Sequence, residues 1–219
     1  MPRLFALIAV PVIMLSGCGG GGSTSDRNHS TSTSSVSDVT VSRGDKIAWT
    51  NDESNKVKIV SGTLEQVSSP TTSDMISCYP DGTLNPKNLT ADFGDTIQWR
   101  NDADDTNISI DDEDVQTVEL EILDSSDEVI ATLSIKPGKT ATYNDFPRAG
   151  KYTYRVSGKD EEGTITLYGI PTPDGNFESM YLNCGQKYSA YIFQSGVQSY
   201  YVIKEGSTKS YMTAQITVE

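Results

Sequence analysis

Two stretches of the chain carry nearly the same residues: RGDKIAWTNDESN at 43–55 and FGDTIQWRNDADD at 93–105. Each runs Gly-Asp, one residue, Ile, one residue, Trp, one residue, Asn-Asp. The alternation of Ile and Trp with polar residues predicts a half-buried β-strand, and the glycine permits a tight turn before it. We therefore expect the chain to build the same strand and corner twice.

The same alternation of apolar and polar residues continues along the rest of the chain from residue 36 onward. Examples are Val118, Leu120 and Ile122, and later Ile165 and Leu167. No segment shows a convincing helical period, and turn sequences such as PDG at 80–82 separate the apolar runs. This pattern is typical of antiparallel strands with one buried face, and it predicts an all-β protein built as a β-sandwich.

A second repeat lies in the later half of the chain. The stretch GKTATYNDFPRAGKYTYRV at 138–156 matches GQKYSAYIFQSGVQSYYV at 185–202, and each precedes a closing strand, GTITL at 163–167 and AQITV at 214–218. The order along the chain is front, front, back, back. This order favours nesting, in which one complete unit is inserted into a loop of another.

Nesting divides the folded part into an inserted domain at 78–169 and an outer, discontinuous domain at 36–77 and 170–219. Both then have the same length, and chain termini that lie close together make such an insertion tolerable. The alternative is an exchanged pairing, in which the front and back halves swap partners.

The first eighteen residues resemble the signal of bacterial lipoproteins. Arg3 precedes an apolar run that ends in Leu15-Ser16-Gly17-Cys18, a match to the lipobox. The resemblance implies removal of a signal peptide, residues 1–17, and lipid on Cys18 as a membrane anchor. It also implies a location at the bacterial outer membrane or cell surface. The alternatives are an ordinary signal peptide and a buried apolar strand.

The Gly/Ser/Thr-rich residues 18–35 lack apolar side chains and are expected to form a flexible tether with a reach of about 25 Å. If Cys18 carries lipid, Cys78 and Cys184 are left as a pair in an oxidising compartment, and a disulfide between them is expected. The alternative is two buried, unpaired thiols.

The charge and the histidine content exclude several classes of function. The chain has 17 basic and 30 acidic residues, a formal net charge of −13, which disfavours nucleic acid as a partner. The single histidine, His29, lies in the expected tether. Without an imidazole in the folded part, no Ser-His or Cys-His nucleophile can be assembled, and we expect no enzyme activity.

The ordered set of motifs resembles the cupredoxin family. Its front motif is Gly-Asp-x-Ile-x-Trp-x-Asn, and its back motif is Phe, Gly and a Tyr-rich strand followed by Gly-x-Ile. The resemblance implies two Greek-key β-sandwiches, one inserted into the other, and it covers nearly all of residues 36–219. In that family, two histidines, a cysteine and an axial methionine bind copper.

The residues at the implied copper positions do not suit copper. In the inserted domain these positions fall on Asn107, Val156 and Glu161, and in the outer domain on Lys56 or Val57, Val202 and Met212. Only Met212 keeps a ligand type, and a single thioether cannot hold copper. We expect a sandwich without copper and without any other cofactor.

The densest run of charge offers a weak calcium site. It contains Asp102, Asp104, Asp105, Asp111 and Asp112, whose oxygens are of the type that Ca²⁺ prefers. Their spacing does not match an EF-hand loop. The alternative is a solvated loop and strand edge, where charges oppose edge-to-edge pairing.

These observations favour a membrane-anchored, non-enzymatic binding or assembly module outside the cytoplasm, with another extracytoplasmic protein as its partner. Two alternatives remain open. One is an accessory protein of an electron-transfer or copper-handling system, and the other is a calcium-dependent adhesive module.

Overall fold

The computed structural model describes residues 28–103 and 117–219, and within these ranges the protein is all-β, with 17 strands in four mixed sheets and no helix. The first nine strands are β1 (Asn28–Ser32), β2 (Val39–Val41), β3 (Lys46–Thr50), β4 (Val57–Glu65), β5 (Thr72–Cys78), β6 (Leu84–Asn85), β7 (Asn88–Asp92), β8 (Thr96–Asn101) and β9 (Val118–Leu123).

The remaining strands are β10 (Val129–Ile135), β11 (Thr140–Tyr143), β12 (Gly150–Val156), β13 (Glu162–Tyr168), β14 (Ile170–Glu178), β15 (Lys187–Tyr191), β16 (Gly196–Lys204) and β17 (Met212–Val218). In the described part of the chain, no helix is long and apolar enough to cross a membrane.

The four sheets divide the strands into two groups. The outer group comes from residues 28–65 and 170–218 and forms the sheets β1-β3-β15 and β14-β4-β16-β17-β2. The inner group comes from residues 72–168 and forms the sheets β11-β8-β5-β6 and β10-β9-β12-β13-β7. Every sheet therefore contains strands of one group alone.

Each group buries its own set of apolar side chains between its two sheets. The outer core includes Ile47 and Trp49 from one sheet and Ile59, Val202 and Ile216 from the other. The inner core is built in the same way, with β5 and β8 on one side and β9, β12 and β13 on the other. Face-to-face burial of this kind is typical of a β-sandwich.

The tryptophans of the two repeated stretches occupy equivalent places. Trp49 on β3 and Trp99 on β8 are both fully buried. Trp49 meets the ring of Tyr200 edge to face at 5.4 Å, and Trp99 meets Tyr154 edge to face at 6.0 Å. The buried face that the alternation of Ile and Trp predicts is confirmed for both strands.

The corner after each tryptophan strand is also repeated. The side-chain amides of Asn51 and Asn101 are fully buried and donate to the carbonyls of Leu182 and Ile135, each at 2.8 Å. These bonds tie the end of each tryptophan strand to the backbone of another segment of the same group. The chain repeats Trp-x-Asn because each sandwich closes its corner in this way.

The segment expected to be a tether is folded at its carboxyl end, which corrects the prediction for residues 28–35. Strand β1 pairs in parallel with β3, from Asn28 opposite Lys46 to Ser32 opposite Thr50. Thr33 is fully buried, and its hydroxyl donates to Asn51 Oδ1 at 3.1 Å. The polar side chains are ordered because the corner supplies their hydrogen-bond partners.

Asp52 provides most of those partners. Its carboxylate accepts hydrogen bonds from the hydroxyls of Ser32, Thr33 and Ser34 and from the Ser34 backbone N–H. Partial burial opposes the charge, but these hydrogen bonds outweigh it and lower the pKa of Asp52 from 3.8 to about 2.

Asp52→Asn is expected to lower the free energy of unfolding by about 1 kcal/mol at pH 7, after allowance for solvent screening. The folded-state pKa lies below the ordinary value, so this contribution is complete above about pH 4 and is lost as the pH falls toward 2. Urea unfolding at both pH values measures it. Asp74→Asn, at an exposed side chain, is the control; equal losses in the two variants at pH 7 would contradict the assignment.

The boundary between the groups lies earlier than the sequence suggested. Strand β5 begins at Thr72 and pairs in parallel with β8, a strand of the inner group. Residues 72–77, which the repeat assigned to the outer domain, therefore belong to a sheet of the inner group. The repeat did not reveal this boundary because each front motif is preceded by a further strand, β1 in the outer group and β5 in the inner group. The sequences of these two strands do not match.

The expected disulfide between Cys78 and Cys184 is not formed. Cys78 is a free thiol, fully buried at the end of β5, and it donates to the carbonyl of Arg100 at 3.2 Å. Cys184 lies in an exposed turn of the outer group. Cys78 belongs to the core of the inner group, whereas Cys184 lies at the surface of the outer group.

Burial, followed by the nearby charge of Asp102, raises the pKa of the Cys78 thiol to about 12. We expect alkylation of Cys78 by iodoacetamide at pH 8 to be at least about 100-fold slower in the folded protein than in denaturant. Mass spectrometry of the peptide containing Cys78 measures the rate. Comparable rates in the two conditions would show that the thiol is accessible.

Candidate functional site

The copper positions of the outer group are occupied by side chains that belong to its core. Val57 and Val202 are fully buried, and Met212 is nearly so. Val202 and Met212 lie opposite each other across β16 and β17, so the structure brings these two together as the resemblance implies. Lys56 forms an ion pair with Glu205 at 3.3 Å. An aliphatic side chain cannot replace a thiolate, and these residues do not fit copper.

The inner group offers no better fit among its described residues. Val156 is buried at the end of β12, and Glu161 lies just before β13. The Glu161 carboxylate accepts a hydrogen bond from the Leu84 N–H at 3.0 Å and pairs with Lys87 at 3.4 Å. Asn107 lies outside the described residues. The Glu161 carboxylate is thus engaged by a backbone N–H and by a lysine.

The acidic run is described only at its beginning. Asp102 pairs with Arg100 at 2.9 Å, and Asp104, Asp105, Asp111 and Asp112 lie outside the described residues. Within 28–103 and 117–219, no three His, Cys, Asp or Glu side chains are placed so that they could hold a metal ion. Cys18 also lies outside this part of the chain. His29, on β1, has Nε2 at 3.9 Å from an oxygen of Asp45.

The two groups are joined by an apolar contact. Val60, Leu64 and Tyr201 of the outer group are buried in the core of the inner group. At the crossing point, Gly169 would bring an added Cβ within 2.8 Å of Leu64 Cβ and 3.0 Å of Ala149 Cβ. This close approach fixes the position of one group against the other.

Polar contacts extend this junction. Gly169 and Ser210 exchange backbone hydrogen bonds of 2.8 and 3.1 Å. Lys209 pairs with Asp92 at 2.6 Å, and the rings of Tyr168 and Tyr211 meet edge to face at 5.1 Å. The junction therefore combines apolar packing with hydrogen bonds and an ion pair.

A cleft of about 420 Å³ opens beside this junction. It is lined from the outer group by residues 34–38 and 211–213, and from the inner group by residues 124–126 and 147–152. Its volume falls within the range of ligand pockets, and junctions between domains are common places for them. The cleft is therefore a candidate binding site between the two groups.

The charged side chains that line the cleft are two bases, Arg148 and Lys151, and two acids, Asp38 and Asp124. Arg148 Nη1 lies 3.3 Å from Asp38 Oδ1, which also accepts the Gln215 N–H at 2.8 Å. Lys151 Nζ lies 5.4 Å above the centre of the Tyr211 ring, a cation–π contact. The walls therefore carry fixed dipoles with little net charge.

Hydroxyl groups supply most of the remaining polar surface. Six serine or threonine residues line the cleft: Ser34, Ser35, Ser37, Ser125, Ser126 and Thr213. The Tyr152 hydroxyl donates to the carbonyl of Arg148 at 2.7 Å, and burial raises the pKa of Tyr152 to about 12, so this phenol stays protonated at neutral pH. Such a surface can bind amides and hydroxyls, and it holds no candidate nucleophile with an adjacent base.

The sequence analysis did not find the cleft. Its walls come from four separate stretches, and only Met212 among them was singled out beforehand. The signal that could have suggested it is the sequence PRAGK at 147–151, where the Arg and Lys interrupt the second repeat. A scan against protein-family models finds no match for this chain, and a search of curated proteins finds no relative.

Proposed function

We propose that the protein is a lipid-anchored, extracytoplasmic binding module without enzyme activity. It consists of two cupredoxin-like sandwiches, one inserted into the other, that have lost the copper site. The division of the four sheets between residues 72–168 and the flanking parts of the chain supports nesting over an exchanged pairing. The buried aliphatic side chains at Val156 and Val202 support the loss of copper.

The observation that carries the proposal of binding is the cleft between the groups. Its walls present hydroxyls, two basic and two acidic side chains, and the ring of Tyr211, with no histidine or cysteine among them. A surface with little net charge and many hydrogen-bonding groups suits an extended polypeptide segment, whose backbone needs both donors and acceptors. The ligand we propose is such a segment of another extracytoplasmic protein.

Site-specific photo-crosslinking in cells tests the binding proposal. A photoreactive phenylalanine at Ser126, in the cleft, is expected to yield one discrete adduct with a second protein. The control is the same group at Ser207, an exposed turn residue that does not line the cleft. An adduct from Ser126 that disappears in Lys151→Ala supports the proposal. The same adducts from both positions, or none from Ser126, would contradict it.

Metal analysis of the purified full chain tests the loss of the copper site. We expect fewer than about 0.1 copper ions per chain and no intense visible absorption band after copper addition. Stoichiometric copper with such a band would overturn this part of the proposal. A calcium-dependent rise in melting temperature would replace the binding proposal with the adhesive alternative.

A further inference from the structure

Exposed apolar side chains lie at the connection between β15 and β16, which belong to different sheets of the outer group. We call Tyr191, Phe193 and Val197 the aromatic tip. The side chains of Tyr191 and Phe193 are each 62 % exposed, and Val197 is 61 % exposed. The two rings stack with their centres 6.3 Å apart. Large apolar side chains gathered in one place on a surface mark an interaction site.

The inner group contains the equivalent connection, between β11 and β12. Phe146 occupies the position that the repeat matches to Phe193, yet it is only 4 % exposed. Its ring packs against Tyr143 at 4.9 Å and Tyr152 at 4.8 Å. The same residue type in the same motif is thus buried in one copy and exposed in the other.

The linker between the two groups packs against the turn that precedes β8. The linker residue Gln66 lies where a Cβ on Gly94 would meet it at 3.3 Å, and the next residue, Val67, donates its N–H to Phe93 at 2.9 Å. At the matching outer position, the nearest such atom to Gly44 belongs to Phe193 itself, at 3.8 Å. In the described structure, Tyr191 and Phe193 both keep more than half of their surface exposed at the outer position.

The aromatic tip lies at the end of the molecule where the described chain begins. Asn28 on β1 pairs with Lys46 on β3, which pairs with Tyr191 on β15. Neighbouring strands lie about 4.8 Å apart, so Asn28 and Tyr191 are separated by about 10 Å. Cys18 precedes Asn28 by ten residues, which span at most about 36 Å when fully extended.

We propose that the aromatic tip inserts into the interfacial layer of the membrane and forms a second contact beside the lipid anchor. This inference rests on the proposed lipidation of Cys18. The short connection keeps this end close to the bilayer, and tyrosine and phenylalanine side chains partition well into the interface between headgroups and acyl chains. Two contacts fix the orientation of the protein and point the cleft in one direction.

The charges near the tip suggest which lipids matter. Arg43 and Lys46 lie at this end, together with Asp45 and Glu219, whose backbones are bonded to Ile192 and Arg43. Positive and negative side chains balance, so attraction to anionic headgroups is small. Insertion should therefore depend on apolar contact and change little with salt or with the fraction of anionic lipid.

Hydroxyl-radical footprinting of the processed full chain tests the proposal. We compare the protein reconstituted in phosphatidylcholine vesicles with the same protein in detergent, using only the fraction that is monomeric by size. Oxidation of Tyr191, Phe193 and Val197 is expected to fall about threefold or more on vesicles. Met180 and Tyr181, which are exposed beside β4 where it meets the far end of β16, serve as internal controls and should not change.

Two variants separate insertion from simple proximity. Tyr191→Ser with Phe193→Ser is expected to remove the protection of Val197, whereas Met180→Ser with Tyr181→Ser should preserve it. Equal oxidation of the tip on vesicles and in detergent would overturn the inference. Protection that accompanies dimer formation in both conditions would also overturn it, by assigning the tip to a second copy.

The mass of the processed amino-terminal peptide keeps this test distinct from the proposed function. A diacylated or triacylated Cys18 without protection of the tip contradicts the membrane contact and leaves the lipid anchor intact. An unmodified Cys18 contradicts the anchor and, with it, the basis of this inference.

Discussion

Trp99→Ala is expected to lower the free energy of unfolding by about 3–5 kcal/mol, a large part of the stability of an ordinary domain. Trp99 is fully buried, and its strand β8 is flanked in its sheet by β11 and β5. Removal of the indole leaves a cavity between the two sheets of the inner group, and the Tyr154 ring, 6.0 Å from it, loses its edge-to-face partner.

Urea unfolding followed by circular dichroism and by fluorescence measures this loss. The chain has two tryptophans, so the variant leaves Trp49 as a reporter of the outer group alone. Trp99→Phe is the matched control: it keeps a ring and deletes an indole N–H that has no hydrogen-bond partner among the described residues, so it should cost less. A loss below about 1 kcal/mol for Trp99→Ala would show that the ring is not part of a packed core.

Gly62→Ala is expected to be almost as damaging, with a loss of about 2–4 kcal/mol, because no rearrangement of a side chain can accommodate it. Gly62 lies on β4 with φ of 133°, opposite Pro173 on β14. A Cβ there would lie 2.2 Å from the carbonyl oxygen of Thr172 and 2.8 Å from Pro173 Cα. Both are backbone atoms, so β14 would have to move away from β4.

Gly175→Ala separates the effect of this contact from that of backbone conformation. Gly175 has φ of 82°, and nothing lies within 4 Å of the position of its Cβ. Its replacement should cost only about 1 kcal/mol, the penalty for a left-handed conformation. Thermal unfolding of the two variants gives the comparison, and equal losses would contradict the close approach of β4 and β14.

The duplicated strand and corner could be predicted from the sequence because their physical cause is local. Alternation of Ile47 and Trp49 with polar residues specifies one buried face, and the same alternation at Ile97 and Trp99 specifies it again. Both pairs are fully buried.

The fold of β1 could not be predicted in the same way. The composition of residues 28–35 indicates disorder, yet Thr31 and Thr33 are buried. The hydroxyl of Thr33 donates hydrogen bonds to Asn51 and Asp52, which lie more than fifteen residues away in the sequence. Tertiary contacts of this kind override a local preference. The expected pairing of Cys78 with Cys184 was also wrong. It rested on the count of cysteines left after Cys18, and a count says nothing about the distance between two side chains.

The cleft depends on how the two groups lie against each other, and the aromatic tip depends on packing within the outer group; no short stretch of sequence encodes either. Phe146 and Phe193 have the same place in the repeat and opposite exposure. Phe146 packs against Tyr143 and Tyr152 of its own group, whereas Phe193 stacks on Tyr191, which is equally exposed.

The two chain crossings have a mechanical consequence. The chain leaves the outer group after β4 and returns at Gly169, so its first and last described strands, β1 and β17, both belong to the outer group. A pull between a fixed amino terminus and the carboxyl-terminal strand would load the parallel pairs β1–β3 and β17–β2 in shear. The inner group lies outside that line of force, so it would keep its structure while the outer group begins to yield.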